Sequence, residues 1–529
     1  VNRCLWTLAA IPGLILATAN AASPSVGRAE VALAVHQDTL PSLRKVLPDP
    51  AGYSHWRQHD EHQIPLPYTP PGQLDGALQD YRGPIGLLAP TLVSGVDGVG
   101  NGFSGPNGSF TVQYAPPDTV GAVGATQYVQ VVNVGFAVFD KATKNVVYGP
   151  VPTSTLWAGF GGQCQSDNDG DAIVVYDKTA NRWIISQFAV GTTPYLQCVA
   201  VSQTSDATGG WYRYSFSYGS VFPDYPKMAV WPDAYYETFN MFNGNTFAGS
   251  KLCAYNRSAM LTGAAATQQC FQLSSSYGGV LPSDLDGSTA PPAGAPNYLL
   301  NFGSNSLNLW RFHTDWSNTA NTSLSGPINI PVASFTPACA GSNCVPQSGT
   351  KQKLDSLADR LMFRLAYRNF GSYQSLVVNH SVKVGTAHNN PYTGLRWYEL
   401  RNPAGTPTVY QQSTFAPDTN YRWMGSIAQD KQGNMALGYS ISSSSMFPSI
   451  RYTGRLITDT LNAMQAEATM MSGGGSQSGQ QLERWGDYSA MSIDPVDDCT
   501  FWYTTEYLKT TGAFNWSTRL ASFKFSSCQ

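Results

Sequence analysis

Charge is scarce in this 529-residue chain: Asp, Glu, Lys and Arg make up only 12% of it, and the formal net charge is −3. That balance leaves no basic footprint for nucleic acid or for an anionic membrane surface. Long apolar runs are also missing beyond the N-terminus, so no later stretch is suited to cross a bilayer as a helix. There is no CxxC pair, no HExxH, no GxSxG elbow and no phosphate loop ending in GK[ST]. Zinc clusters, zinc proteases, α/β-hydrolases and P-loop enzymes are therefore set aside.

Turn formers and aromatics are abundant instead. The chain holds 50 Gly and 34 Pro, and aromatics equal the charged residues at 12%. Such a composition leans to β-structure with many tight turns. At the start, Arg3, the apolar run "LWTLAAIPGLILATA" and the small residues "ANA" at 19–21 read as a secretory signal peptide over residues 1–21. Export to the extracellular space or periplasm follows, with no membrane attachment after cleavage. Cys4 would leave with that leader, and eight cysteines would remain. An even count in an exported chain implies disulfides. If the chain is made of local units, neighbours pair: Cys164–Cys198, Cys253–Cys270, Cys339–Cys344 and Cys499–Cys528.

Residues 22–109 carry more charge and scattered Pro, and read as an irregular pro-segment or linker. His55, His59 and His62 in "HWRQHDEH" fall at helical spacing, which a polar helix explains without a metal. From 110 to 529 the chain repeats itself. "FPDYPKMAVWPDAYYETFNM" from Phe222 and "RWGDYSAMSIDPVDDCTFWYTTEY" from Arg484 share Asp-Tyr, a Met three residues on, a turn, aromatics and a Glu. Looser copies begin at Pro116, Asp169, Pro296, Ala358 and Asn420. Each pairs a polar lead-in with an alternating strand, a turn and a second strand. Further strand-like pieces lie between them, enough for four strands per repeat. That period is the mark of a β-propeller, which protects sheet edges by radial repetition. The expected fold is all-β, a seven-bladed propeller of four-stranded antiparallel sheets, with six blades as the alternative count. The Met and Tyr of the phrase are expected to pack between blades. "SGGGSQSGQQ" from Ser472 reads as a flexible loop before the last blade.

In a propeller the first strand of each blade lines the channel, so residues leading into those strands converge. Here they are Asp118, Asp169, Asp171, Asp224, Asn297, Asp359, Arg360, Arg422, Arg484 and Asp487. Crowded carboxylates shift one another's pKa unless cations intervene. Such a ring suits paired acid–base or acid–nucleophile work on glycosidic bonds, or an oxygen-liganded cation such as Ca²⁺. Each Asp capping its own turn is the plain structural alternative. Arg360, Arg422 and Arg484 recur about every 62 residues and could clamp a carboxylate, or pair with adjacent Asp. Glu237 and Glu506 occupy matching second strands, and Tyr225 and Tyr488 follow the matching Asps. His380 and His388 fall in or beside the fifth repeat and read as loop histidines.

"TSDATGGWY" at 204–212 resembles an Asp box, the Ser-x-Asp-x-Gly-x-Thr-Trp turn, with Asp206 and Trp211 at the right separation and the Gly displaced by one. Together with the arginine trio, it makes the chain similar to the sialidase-like, BNR-repeat propellers. "RWGDYSAMSIDP" is similar to a phrase of secreted bacterial propellers. The likeness departs in blade number and in lacking the early Arg-Ile-Pro motif. The resemblance implies a secreted glycan-active enzyme, a sialidase-like glycoside hydrolase. Asp224, Asp487, Glu506 and Tyr488 would be catalytic, and Arg360, Arg422, Arg484, Asp118 and Asp171 would bind substrate. The expected partner is a polysaccharide or glycoconjugate, the chain acting as a monomer with no required cofactor and Ca²⁺ as the one ion considered. A non-catalytic carbohydrate- or cell-surface-binding propeller is the competing reading.

Overall fold

Alternating Val, Ile, Tyr and Trp, cut by Gly and Asn turns, give this chain short antiparallel strands. The computed structural model describes residues 27–47, 57–58, 62–70, 72–79, 89–341, 343–385 and 391–529. The expected leader at 1–21 lies outside the described residues, as do His55, His59 and His388.

The fold is a β-propeller. Its inner strands are, in chain order, Val120–Val123, Ile173–Asp177, Phe222–Val230, Leu281–Asp286, Met362–Asn369, Tyr421–Gln429 and Ala490–Ile493. Each begins an antiparallel group of four or five strands. Each inner strand packs beside the next, and Ala490–Ile493 packs back against Val120–Val123, so the circle closes. Leu281–Asp286 and Met362–Asn369 also hydrogen-bond in parallel, fusing their two groups into one eight-stranded sheet. The last group borrows its outer strand from far upstream: Thr91–Asp97 pairs antiparallel with Trp516–Lys524.

The segment expected as a linker is thus partly sheet. Glu30–Leu33 adds a fifth strand beside Thr267–Gln272, and His36–Leu40 adds one beside Trp211–Gly219. Its extra charge has partners in the blades. Asp38 binds Arg213 through both carboxylate oxygens at 2.7 and 2.5 Å, and Asp75 accepts from Arg396 at 2.7 Å and Thr414 at 2.8 Å. The boundary expected at 110 therefore falls inside the propeller.

A second correction concerns the fourth repeat. The hairpin starting at Pro296 holds the second and third strands of its group, Asn297–Gly303 and Ser306–His313, rather than the inner strand. The inner strand is "LPSDLD", whose buried acids conceal it as a strand. Arg364 neutralises them, binding Asp284 and Asp286 at 2.6 Å each. Arg364 also donates to the Met491 carbonyl at 2.9 Å, which ties three inner strands together across the channel. The channel beside this network narrows to a cavity of about 30 Å³, room for about one water.

The "SGGGSQSGQQ" stretch is packed rather than free. Ser476 and Gln477 are buried. A Cβ on Gly475 would lie 2.1 Å from the Thr510 carbonyl carbon, so only glycine fits. Core packing runs between blades, where nine tryptophans including Trp157, Trp183, Trp211 and Trp310 are among the largest fully buried side chains. Each such burial contributes on the order of 2–3 kcal/mol. The cysteines pair as their spacing implies: Cys164–Cys198, Cys253–Cys270, Cys339–Cys344 and Cys499–Cys528. Four disulfides belong to a chain that folds in an oxidising compartment.

Candidate functional site at the channel mouth

The face of the ring where chain enters the inner strands brings together charged residues from several repeats. A shared backbone device puts it there. Asp118, Asp171 and Tyr225 have φ of 45°, 47° and 56°, in the left-handed region. Asp tolerates that region better than most residues, and a bulge absorbs it in the third blade. There the register slips between Asp224 and Lys227. The slip re-aims Lys227 into the centre, two residues beyond the left-handed position. The corresponding residues of the first two blades are Val120 and Ile173.

Lys227 is fully buried, with its ammonium 3.4 Å from the centre of the Tyr225 ring and 3.8 Å from that of Tyr488. It donates to the Pro226 carbonyl at 2.8 Å. The two rings meet edge to face at 5.9 Å. Burial pulls the Lys227 pKa down to about 7, against the opposing pull of Asp171, Asp487 and Asp118. The two tyrosines of the repeated phrase thus sandwich a cation at the centre, while Met228 and Met491 pack in the core.

Around this lysine the carboxylates differ sharply. Asp118 is buried and accepts from Asn133 Nδ2 at 2.7 Å and from the Asp487 amide at 2.7 Å. Burial, then the charges of Asp487 and Asp171, push its pKa well up. Asp171 rises to about 7, by burial first and then by Asp224 and Asp487. Asn133 links the two, since its Oδ1 accepts from the Asp171 amide at 3.0 Å. Asp487 goes the other way. Burial would raise it, but Arg484 and Arg360 outweigh that and hold its carboxyl below the ordinary value. Asp224 and Asp487 are the more open acids, with side chains 17% and 14% exposed. His62 covers the first, its Nδ1 3.5 Å from Asp224 Oδ2 and its ring against Phe222 and Phe242.

The arginines divide. Arg360 binds Asp359 through two bonds of 2.6 and 2.9 Å and lies 4.3 Å from the Tyr225 ring centre. Arg484 pairs with Asp487. Both belong to the mouth, each already engaged with an Asp. Arg422 does not join them. It is locked to Glu467 at 3.0 and 2.8 Å and to Asp418 at 2.8 Å, with Tyr439 also donating to Glu467. Its recurrence in sequence reflects a repeat position, whereas its side chain serves the sixth blade alone.

The two glutamates also separate. Glu237 takes bonds of 2.8 Å from Ser186, Gln197 and Tyr255, sealing the second blade to the third. Burial lifts its pKa to about 7. Glu506 is buried, with no hydrogen-bond partner for either oxygen among the described residues. Burial, then the nearby Asp487 charge, raises its pKa well above the carboxylate range. The Tyr488 hydroxyl is likewise buried without a partner among the described residues. Asn297 and Asp169 are structural. Asn297 bonds to Ser283, and Asp169 accepts from the Val190 amide at 2.7 Å. His380 stacks between aromatic neighbours and pairs with Tyr398 at 3.0 Å; burial keeps it neutral.

The Asp-box-like turn lies between the third and fourth strands of the second blade. Asp206 accepts from the Thr208 amide and hydroxyl, and Trp211 donates to the Ala207 carbonyl at 3.0 Å. Among the described residues no group of three or more His, Cys, Asp or Glu is arranged to hold a metal. The cations here are the protein's own, Lys227, Arg360 and Arg484. Sequence reading missed Lys227 and Asn133, and it set His62 aside as part of a polar helix, where the structure has irregular chain packed over Asp224. Lysine in the third copy, where the first two carry Val and Ile, was the available signal for the first.

No family model and no curated protein matches the chain. Solved structures that share features of it include a neuraminidase-like protein of A/little yellow-shouldered bat/Guatemala, at 9% identity and TM-score 0.32, covering 64% of this chain and 95% of that one. Another is the alpha-L-arabinofuranosidase Arb93A from Fusarium graminearum, at 9% identity and TM-score 0.38, covering 83% and 99%. The polysaccharide lyase Uly1 aligns at 8% identity and TM-score 0.37, covering 82% and 100%.

Proposed function

We propose that the protein is a secreted glycan-active enzyme on a seven-bladed propeller, a sialidase-like glycoside hydrolase working through its channel-mouth carboxylates. The leader is removed on export and the mature chain acts as a monomer on a polysaccharide or glycoconjugate. One arrangement carries the chemistry: Asp118, Asp171 and Asp487 crowd round the buried Lys227, burial drawing the Asp171 carboxyl up and the Lys227 ammonium down, each to about 7, while Arg484 and Arg360 hold Asp487 below its ordinary value. Groups poised near the working pH with opposite neighbours are what proton transfer to a leaving oxygen requires. Asp224 and Asp487, the more open acids, reach substrate. Asp487 acts as base or nucleophile, and Asp171 supplies the proton. Tyr488, Glu506 and Asp118 shape the field beneath them, while Arg360 and Arg484 exchange their Asp partners for substrate. Arg422 has no part in this scheme.

A second reading, a non-catalytic glycan-binding propeller, has its own support. Arg360 and Arg484 are already paired, and Asp118, Asp171, Lys227, Tyr488 and Glu506 are all nearly buried. Reducing-end release from a panel of polysaccharides separates the two. The expected result is turnover that falls at least about 100-fold in Asp224→Asn and in Asp487→Asn. Turnover unchanged in both removes these site assignments, and binding without turnover selects the second reading.

A further inference from the structure

Three clefts on the face of the channel mouth join end to end. The first, of about 660 Å³, reaches Asp359, the acid that holds Arg360 at the mouth. It is walled by an asparagine ladder in which Asn329 donates to Asn308 and Asn308 to Asn301, each at 3.1 Å. Tyr68 stands beside it, 73% exposed, on a segment pinned where Ser304 donates to the Tyr68 carbonyl at 2.6 Å. Leu66 and Pro67 line both this cleft and the second, of about 310 Å³. Thr336, Pro337 and Lys383 line both the second and the third, of about 840 Å³.

The far end has one sign of charge. Lys353 and Lys383 line the third cleft with Tyr392, Tyr421 and several hydroxyls, and among the described residues its lining includes no acid. Neither lysine forms an ion pair with a described residue. From the mouth outward, the trough therefore passes from amide groups suited to sugar hydroxyls to aromatic rings and uncompensated ammonium groups. Flat rings take sugar faces, and a free ammonium takes a carboxylate.

We infer that this trough binds a linear uronate-bearing polysaccharide, its carboxylates on Lys353 and Lys383 and its leading residues beside Asp359. The assignment rests on the glycan-active reading and narrows it to acidic chains several sugars long. It also explains why the mouth arginines need not be the principal carboxylate ligands.

Calorimetric titration of the full-length protein tests it, with long and short oligosaccharides of polygalacturonate, alginate and hyaluronate, and with their carboxyl-reduced counterparts. At least one uronate series should bind, more tightly than its reduced form and less tightly as salt rises. Lys353→Gln/Lys383→Gln should weaken that binding at least about tenfold, leaving the reduced form and the melting midpoint unchanged. Tyr68→Ala should weaken long oligosaccharides and spare short ones. Equal binding of charged and reduced sugars, indifference to the lysine pair, or no binding of any series overturns the assignment. Binding is read apart from turnover, so lysine-dependent binding without cleavage sinks the catalytic reading alone.

Discussion

Lys227 and Glu237 illustrate what a single buried titratable residue does in this protein. Lys227 sits where its repeat mates carry aliphatic side chains, and two tyrosine faces replace the water it gave up. Glu237 forms no ion pair: three donors hold it, and the charge of Lys227 acts on it only weakly. Its carboxyl is at about 7 in the fold against an ordinary 4.5, so the folded protein binds that proton more tightly than the unfolded chain does. The contribution is fully present below pH 4.5 and is lost as pH rises through 7. Glu237→Gln keeps an acceptor for Ser186 and Gln197 and offers Tyr255 a donor. Urea midpoints of the variant and the parent should nearly coincide at pH 4.5. By pH 8 the variant should be the more stable, by on the order of 3 kcal/mol. A gap that does not grow with pH contradicts this account.

The strand hairpin is the unit the sequence writes most plainly, and the fourth blade shows where that legibility stops. Six inner hairpins lie where alternation and turn residues mark them. In "LPSDLD" two acids break the pattern, and only the distant Arg364 makes them tolerable. Local sequence cannot display a partner some 80 residues away. The site was readable in the same measure: Asp118, Asp171, Asp224, Arg360, Arg484 and Asp487 do converge, since position in the repeat fixes where a residue enters the ring. Position does not fix direction, so Arg422 turns outward and Glu237 sideways, and the bulge at Tyr225 brings in Lys227, whose departure from Val120 and Ile173 was the only trace of it in sequence. Asn297 shows the cost of that hidden inner strand. Its amide accepts from the Ser283 N–H at 3.2 Å and donates to the Ser283 carbonyl at 2.7 Å. Asn297→Ala leaves both groups buried and unmet, and should cost about 2–4 kcal/mol in urea unfolding. A cost under 0.5 kcal/mol would mean that another group already satisfies Ser283.

As a whole, the molecule depends on one junction, the pairing of Thr91–Asp97 with Trp516–Lys524. Ser94 lies opposite Ser522, their hydroxyls 2.8 Å apart. Ser94→Cys with Ser522→Cys should therefore form a disulfide without rearrangement. Because it would span more than 400 residues, chain-entropy reasoning gives about 6 kcal/mol and a higher melting midpoint under oxidising conditions only. Failure to oxidise would mean that the register at this seam differs. The same seam sets a timetable. Asp97 and Arg519, bonded at 2.9 Å, stand 422 positions apart in the chain. The strand that fastens the circle is thus translated early, and its mate near the very end. A chain that emerges in order of synthesis is therefore an open arc until its last residues appear, and the circle locks only once the final hairpin is made.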